Sequence, residues 1–581
     1  MMLEALVQRY EDECRAGNLS RDGWEKRKVS FALVLSDEGD VLEVLPLTQR
    51  VQKGKKEVDV PQSLDVPVGE TRASGICPFF LCDNGSYFLG ADQKGKPKRS
   101  VDCFAACATL HQEILADVEE PAAQAVVKFF QRGETGEAMV RTHPVLALYA
   151  DDLLKGGNLV FRHAGRYVHE NAKVRAAWEK RLEEEEGEVR RCLVTGALAP
   201  IAVKHPSIKG VRDAQRTGAA LVSFNDRAYA SYGHDGQQGY NAPVSKKAAF
   251  AYRTALNALI ADEQHTRLIG DTTVVYWAGK DSTAAQDVFC GMVLGDNDGN
   301  QMTDDTLDAI LEKVQNGEAI SYHDIDLPYD NPFYILGLSP NAARISVRFF
   351  LQGAFGDFLK HIADHHAQME IVRPKWEKRK HIPMWRLLQE TVNAKSTIQM
   401  ASPLMAGAMF RAVLTGGKYP VSVFQNILLR IRAEQGDNKI NARRAGFLKA
   451  YLLRNRGRRI QVALDENSTD VAYLLGRWFA VLEEAQERAN PDINATIRDR
   501  FFNSACGTPA YVFPLLQKLA LHHLKKLEGP SKIWIDKLFS DILGKLHVGE
   551  IPRHLSLEEQ GVFILGYYHQ KQKRYEKKEE K

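Results

Sequence analysis

Near residue 375 the period of the apolar residues changes. Before it, runs that alternate apolar and polar recur; after it, strand-like runs almost vanish and helical spacing takes over. A stretch patterned with period 2 cannot bury one face as a helix, nor one of period 3.6 as a strand. The chain is therefore expected to be α+β: a mixed N-terminal region with β-hairpins, then an all-α C-terminal bundle. The clearest periodicity lies at the end. Val471, Leu474, Leu475, Trp478 and Leu482 make one apolar stripe, closed by Asn490-Pro491, and Ile493, Ile497 and Phe501 make a second. Thr508 caps and Pro509 opens a third, with Val512, Leu515, Leu516 and Leu519. Ile535, Leu538, Phe539, Ile542 and Leu546 follow Gly529-Pro530, and Ser556 with Glu559 is a capping box that starts a fifth helix. Five amphipathic helices joined by short breaks read as a compact bundle.

In the first half, residues 1–16 read as a helix. Val29–Leu35 and Val41–Leu47 read as a hairpin around a Gly-containing turn. A second hairpin is expected from Pro78–Cys82 and Ser86–Leu89 about Asp83-Asn84-Gly85, because Asn-Gly suits tight turns. Helices are expected at 100–116 and 121–132, and a strand at Thr272–Trp277. With Arg373–Arg386 as a charged junction, the expected division is a mixed α+β domain over 1–375, a basic helical connector over 376–460 and a five-helix bundle over 461–581.

The net charge of +3 excludes a uniformly basic coat protein, so any nucleic-acid contact must come from locally gathered charge. No apolar signal segment follows Met1, no run approaches a membrane span, and eight cysteines in 581 residues are too sparse for a disulfide framework. Those features point to the cytoplasm, with no membrane partner.

Several blocks carry a resemblance. They are Cys192-Leu-Val-Thr-Gly; His205-Pro-Ser-Ile-Lys-Gly-Val; Gly218-Ala-Ala-Leu-Val-Ser-Phe-Asn225; and Asn241-Ala-Pro-Val-Ser-Lys-Lys. Three more are Gly75-Ile-Cys-Pro-Phe-Phe-Leu, Gly270-Asp-Thr-Thr-Val-Val-Tyr-Trp-Ala278 and Asn331-Pro-Phe-Tyr-Ile-Leu-Gly-Leu-Ser-Pro-Asn-Ala-Ala-Arg344. Together they resemble the large-subunit family of type I-C CRISPR interference (Cascade) complexes. The resemblance implies a non-catalytic, cytoplasmic subunit of a ribonucleoprotein in antiviral defence. It implies partners as well: CRISPR RNA, target duplex DNA with its displaced single strand, the backbone, handle-binding and small subunits, and a helicase–nuclease recruited on target binding. It further implies recognition of a protospacer-adjacent motif, help with strand separation, and a C-terminal bundle similar to the small subunit. In such families that small subunit can arise by internal translation. The last methionine here is Met409, so a start near 455–470 would have to use a codon such as that of Val462 or Leu464. Absence of a short C-terminal polypeptide from cells expressing the native gene would exclude this.

The segment Tyr232–Asn241 is the candidate motif reader, with His234, Gln237, Gln238 and Asn241, and Asn225 beside it. Glycines let backbone approach a groove, and carboxamides offer a paired donor and acceptor to base edges. A turn-rich surface loop is the plainer alternative. Lys246 and Lys247 open a helix whose first turn offers N–H groups to phosphate. Lys209, Arg212 and Arg216, and Lys94, Lys96 and Lys98, are further backbone-contact candidates. Between Arg430 and Arg459 stand ten Lys or Arg against Glu434 and Asp437, and Arg443, Arg444, Arg454, Arg456, Arg458 and Arg459 are the candidates there. Local acids are too few to pair them, although a salt-bridged helix surface is the competing view.

Chemistry of other kinds finds little support. Asp296-Asn-Asp298-Gly-Asn300 has Gln301 and Leu307 where a calcium loop needs Gly and Glu. Gly416-Gly417-Lys418 lacks phosphate-loop spacing, and Ile362 follows His361 where a zinc protease needs Glu, although His365 and His366 stand close by. Cys77, Cys82, Cys103 and Cys107 are loosely spaced for zinc, and the latter two read as core positions on a helix. No catalytic residue, metal or cofactor is expected. A DNA-processing nuclease with an unfamiliar active site is the alternative.

Overall fold

The structure, a computed structural model, describes residues 1–573 apart from 54–55, 70–74, 94–95, 184–186, 225, 231–232, 235–237, 280–282, 294, 296–301, 394, 398–399, 437–438, 492, 548 and 550. Two compact units emerge: Met1–Ile208 with Ala220–Ala258, and Lys209–Ala219 with Leu259–Lys581. The architecture is α+β, as the change of period implies.

In the first unit a helix, Met2–Arg15, precedes a seven-stranded sheet. Its strands are β1 (Trp24–Leu35), β2 (Val41–Pro46), β3 (Thr48–Lys53), β4 (Lys56–Pro67), β5 (Cys82–Asn84), β6 (Asn158–His163) and β7 (Arg166–Tyr167). The path runs β3-β4-β1-β6-β5, with β2 on β1 and β7 on β6; among the described residues β1 and β6 run parallel and the other pairs antiparallel. β1 feeds two apolar clusters, Leu33 and Leu35 joining Phe88, Phe130 and Phe161, and Ala32 joining Val66 and Val160. The Pro97–Leu115 and Pro121–Gln131 helices supply Cys103, Cys107, Phe104 and Phe130 to the larger cluster.

The β1–β2 hairpin forms as its alternation implies. The second hairpin does not. Asn84 caps a helical turn, Gly85–Phe88, its side chain accepting from the Ser86 N–H at 3.0 Å, and β5 pairs with β6 instead. An Asn is as good a helix N-cap as a turn former. The helical turn brings Phe88 flat against Phe161, centroids 4.5 Å apart, where alternation would have split Phe88 from Leu89. Further along, β8 (Val189–Arg191) and β9 (Leu198–Pro200) make a small separate ribbon.

The second unit has a four-stranded antiparallel sheet in the order β10-β11-β14-β15. Its strands are β10 (Thr266–Ile269), β11 (Thr272–Ala278), β14 (Pro332–Asn341) and β15 (Arg344–Ala354), with β12 (Ile320–Tyr322) and β13 (Ile325–Leu327) as a separate ribbon. All seven residues of β11 are buried. β15 carries a bulge: Gly337 faces Phe349 and Leu338 faces Val347, so Arg348 is the extra residue. One apolar cluster runs through this unit from Ile269 to Tyr568, and no strand follows β15 among the described residues.

The C-terminal helices are Val471–Ala489, Ile497–Gly507, Pro509–Leu524, Gly529–Leu543 and Leu557–Lys573. The first and last lie close enough that a Cβ on Gly476 would sit 2.0 Å from the Phe563 carbonyl oxygen, and one on Gly566 2.2 Å from that of Tyr473. Ser556 and Glu559 cap each other reciprocally, as expected. Thr508 does not cap. It also ends the preceding helix, and its hydroxyl donates back to the Ser504 carbonyl at 3.1 Å.

At the centre of the bundle Glu483 is completely buried. It accepts from the Thr496 hydroxyl at 2.7 Å and the Tyr567 hydroxyl at 2.6 Å, with Lys571 at 3.2 Å and Arg498 at 3.7 Å. Burial alone would push its pKa up, but these partners outweigh burial and hold it below the ordinary value.

Candidate nucleic-acid interface

The Gln238–Asn241 turn rests on a hydrogen-bonded base in the first unit. Cys192 is buried, and its sulfur accepts the backbone N–H groups of Thr195 at 3.5 Å and Ser245 at 3.3 Å. Burial raises the thiol pKa, yet these donors overcome it and bring it to about 7. Leu193 donates to Pro243 and Ala202 to Val244 through their backbone N–H groups, both at 2.9 Å, and Ile201 bridges Ser245. Ser245 then starts the helix Lys246–Ala261, its hydroxyl accepting from Ala248 N–H at 3.2 Å.

The last turn of the candidate reader, Gln238–Asn241, packs on this base. Gly239 donates its N–H to the Val203 carbonyl at 2.7 Å, and a Cβ there would lie 1.8 Å from the Ala202 oxygen. Only glycine fits. Tyr240 is buried beneath the Arg190 guanidinium, 4.8 Å from the ring centroid, and His234 meets the same ring edge-on at 6.0 Å. Arg190 also reaches the His234 Nε2 at 3.3 Å and is steadied by Glu188. His234 holds a left-handed φ of 66°. The Asn241 side-chain amide donates to the Gln238 carbonyl at 3.3 Å. The structure thus gathers His234, Gln238 and Asn241 on one support; Asn225 and Gln237 lie outside the described residues. Arg190 was not among the sequence candidates. Its only signal was position, two residues before the Cys192 block.

His205 is half-buried, bonded through Nδ1 to the Tyr252 hydroxyl at 2.7 Å, and burial takes its pKa down to about 4. It is neutral near pH 7 and anchors its segment rather than contributing charge. In the first unit Lys247 is exposed, and Lys96 and Lys98 are exposed at the start of the Pro97–Leu115 helix, whose first turn has no acid. Lys94 lies outside the described residues. Lys246 is partly buried at the first turn of its helix. In the second unit Lys209, Arg212 and Arg216 are exposed; Arg212 pairs with Asp213 at 3.3 Å, and its N–H donates to the Thr273 hydroxyl.

The stretch Arg430–Arg459 corrects the expectation of unpaired charge. Acids distant in sequence supply the missing partners. Arg443 binds Glu377 and Glu390, and Arg444, buried, binds Glu390 and Glu434. Arg454 donates to Gln368 at 2.7 Å and lies 4.1 Å from the Tyr419 ring centroid. Arg456 pairs with Glu558 at 2.5 Å and Arg458 with Asp470 at 3.6 Å, both at the surface. Arg459 is exposed and has no ion pair among the described residues. Lys439 and Lys449 are buried. The solvent-facing cations of this stretch thus include Arg456, Arg458 and Arg459. Changing Arg456 and Arg458 to Ala is expected to flatten the salt dependence of nucleic-acid binding by roughly 1.4–1.8 in log–log slope, equally for all sequences. Titrating the variant complex across salt concentrations checks this.

The histidines have separate partners: His361 the Leu414 carbonyl, His365 the Tyr419 hydroxyl and His366 the Met292 carbonyl. Cys103 and Cys107 are buried on their helix, as expected. The Asp296–Asn300 segment lies outside the described residues. Among the described residues no group of three or more His, Cys, Asp or Glu side chains is placed to hold a metal, and no helix is long and apolar enough to cross a membrane.

The sequence profile of the family described as CRISPR-associated protein (Cas_Csd1) matches residues 6–575. The chain belongs to that family. It is the large-subunit family of type I-C CRISPR complexes, so the chain is a type I effector subunit and a member of a Cascade complex. The family is a structural one within that complex. No curated protein matches the chain.

Proposed function

We propose that this subunit reads the protospacer-adjacent motif on duplex DNA through the segment ending at Asn241, helps open the duplex, and helps recruit the helicase–nuclease without cutting DNA itself. The observation that carries the reading is the anchored Gln238–Asn241 turn, where Gln238 and Asn241 stand on a base that admits only glycine at Gly239, between Gln238 and Tyr240. Rigid support is what lets a polar segment discriminate base edges rather than sample them. Lys246 and Lys247 at the adjoining helix start fit phosphate contacts that fix register. Guide pairing would supply long-range specificity while protein reads a short motif, a division of labour known in a different CRISPR effector.

Complexes reconstituted with and without this chain around one guide RNA test the proposal. With the chain, a complementary duplex should bind far better when the correct motif flanks it, and without the chain that preference should vanish. Equal motif preference in both would overturn the reading. Cleavage of labelled duplex by the purified chain with Mg²⁺ would also overturn it.

A further inference from the structure

We propose a second nucleic-acid contact in the second unit: a cationic cavity that seats the sugar-phosphate backbone of a single strand. This rests on the chain being a nucleic-acid-binding subunit, but not on the motif-reading segment. The cavity measures about 370 Å³, and its lining includes Arg348, Arg411 and Lys418 but no carboxylate. Its apolar wall is Leu404, Gly407 and Ala408, one exposed side of the helix Pro403–Thr415.

Three observations converge. First, Arg348 is the extra residue of the β15 bulge, on an edge strand, and bulges re-aim side chains beside functional sites. Its guanidinium is braced by the Ser339 hydroxyl at 2.7 Å and by Asp271 at 3.5 Å, and its carbonyl accepts from Arg411 at 3.0 Å. Two arginines are thereby held side by side, with one carboxylate, that of Asp271, against Arg348. Second, Arg411 and Lys418 are exposed with no ion pair among the described residues. Third, Gly407 lies inside a helix, where glycine is destabilising relative to alanine. A Cβ there would meet nothing within 4 Å, so packing does not require the glycine. Space kept for a ligand accounts for it. Cations above a smooth apolar wall suit phosphates on one side and sugar or base faces on the other.

The test uses the full chain with fluorescent thymidine and uridine homopolymers of about 20 nucleotides, long enough for a strand-binding groove. Arg411→Gln with Lys418→Gln is expected to weaken binding roughly tenfold and to flatten the salt slope by about 1.4. Gly407→Leu should weaken binding without changing charge, and should not lower the melting temperature. Loss on the thymidine polymer alone identifies displaced DNA as the occupant; loss on the uridine polymer alone identifies guide RNA. Unchanged binding of both polymers by the charge variant overturns the proposal. So does a charge-variant loss that Gly407→Leu fails to reproduce. Motif preference of the complex should stay at the wild-type ratio, which separates this site from the motif reader.

Discussion

Replacing Glu483 by Ala is expected to destabilise the C-terminal bundle by about 3 kcal/mol, because it removes a buried carboxylate from two partly buried cations and two hydroxyls. Arg498 and Lys571 would lose this carboxylate, although Lys571 keeps Glu487 at 3.1 Å, and the Thr496 and Tyr567 hydroxyls would lose their acceptor. Glu483→Gln should cost less, since its amide oxygen can still accept from one hydroxyl. The same group sets a pH dependence. Its folded pKa lies below the ordinary 4.5, so the stability it contributes is full above pH 4.5 and disappears as pH falls through the folded value. Denaturant unfolding of the wild type and the Ala variant at neutral and acid pH checks both claims. The gap between them should narrow on acidification; a constant gap would show that the carboxylate charge is not what matters.

Gly239→Ala is expected to have the largest functional effect of any single methyl group added near the candidate reader. The new Cβ would fall 1.8 Å from a backbone oxygen, which cannot swing aside as a flexible side chain would. Overpacking of this kind costs about 1–3 kcal/mol, and here the strain falls on the turn that carries Gln238 and Asn241. Motif preference should drop sharply while binding to guide RNA and the far-ultraviolet circular dichroism stay near wild type. Retained motif preference would mean that the turn's position is irrelevant to recognition.

Much of the architecture follows from periodicity alone. The helices Ile497–Gly507, Pro509–Leu524 and Gly529–Leu543 were legible because each buries one face, and burial imposes a period, whereas Val471–Ala489 and Leu557–Lys573 are buried nearly all round. Thr508 and Asn84 misled for a shared reason. Each has more than one use for its side chain: Thr508 bonds back to the Ser504 carbonyl at the end of the preceding helix, and Asn84 caps the turn that buries Phe88. The charges of Arg430–Arg459 misled differently. Their acids, Glu377, Glu390, Asp470 and Glu558, come from outside the stretch, and local counting cannot see them. Composition could nominate candidates such as Gln238 and Asn241, but it could not show contacts that only the fold makes. Arg190 over Tyr240 and the bulged Arg348 have no signature until strands are paired.

The most direct measurement is selection from a duplex library. Each member carries the guide-complementary stretch, with the flanking base pairs randomised, and is captured by complexes containing either the wild-type chain or Gln238→Ala. The account predicts a short enriched flank with the wild type and a flatter or altered one with the variant, at similar capture of fully single-stranded target. Identical enriched flanks from both complexes would contradict it.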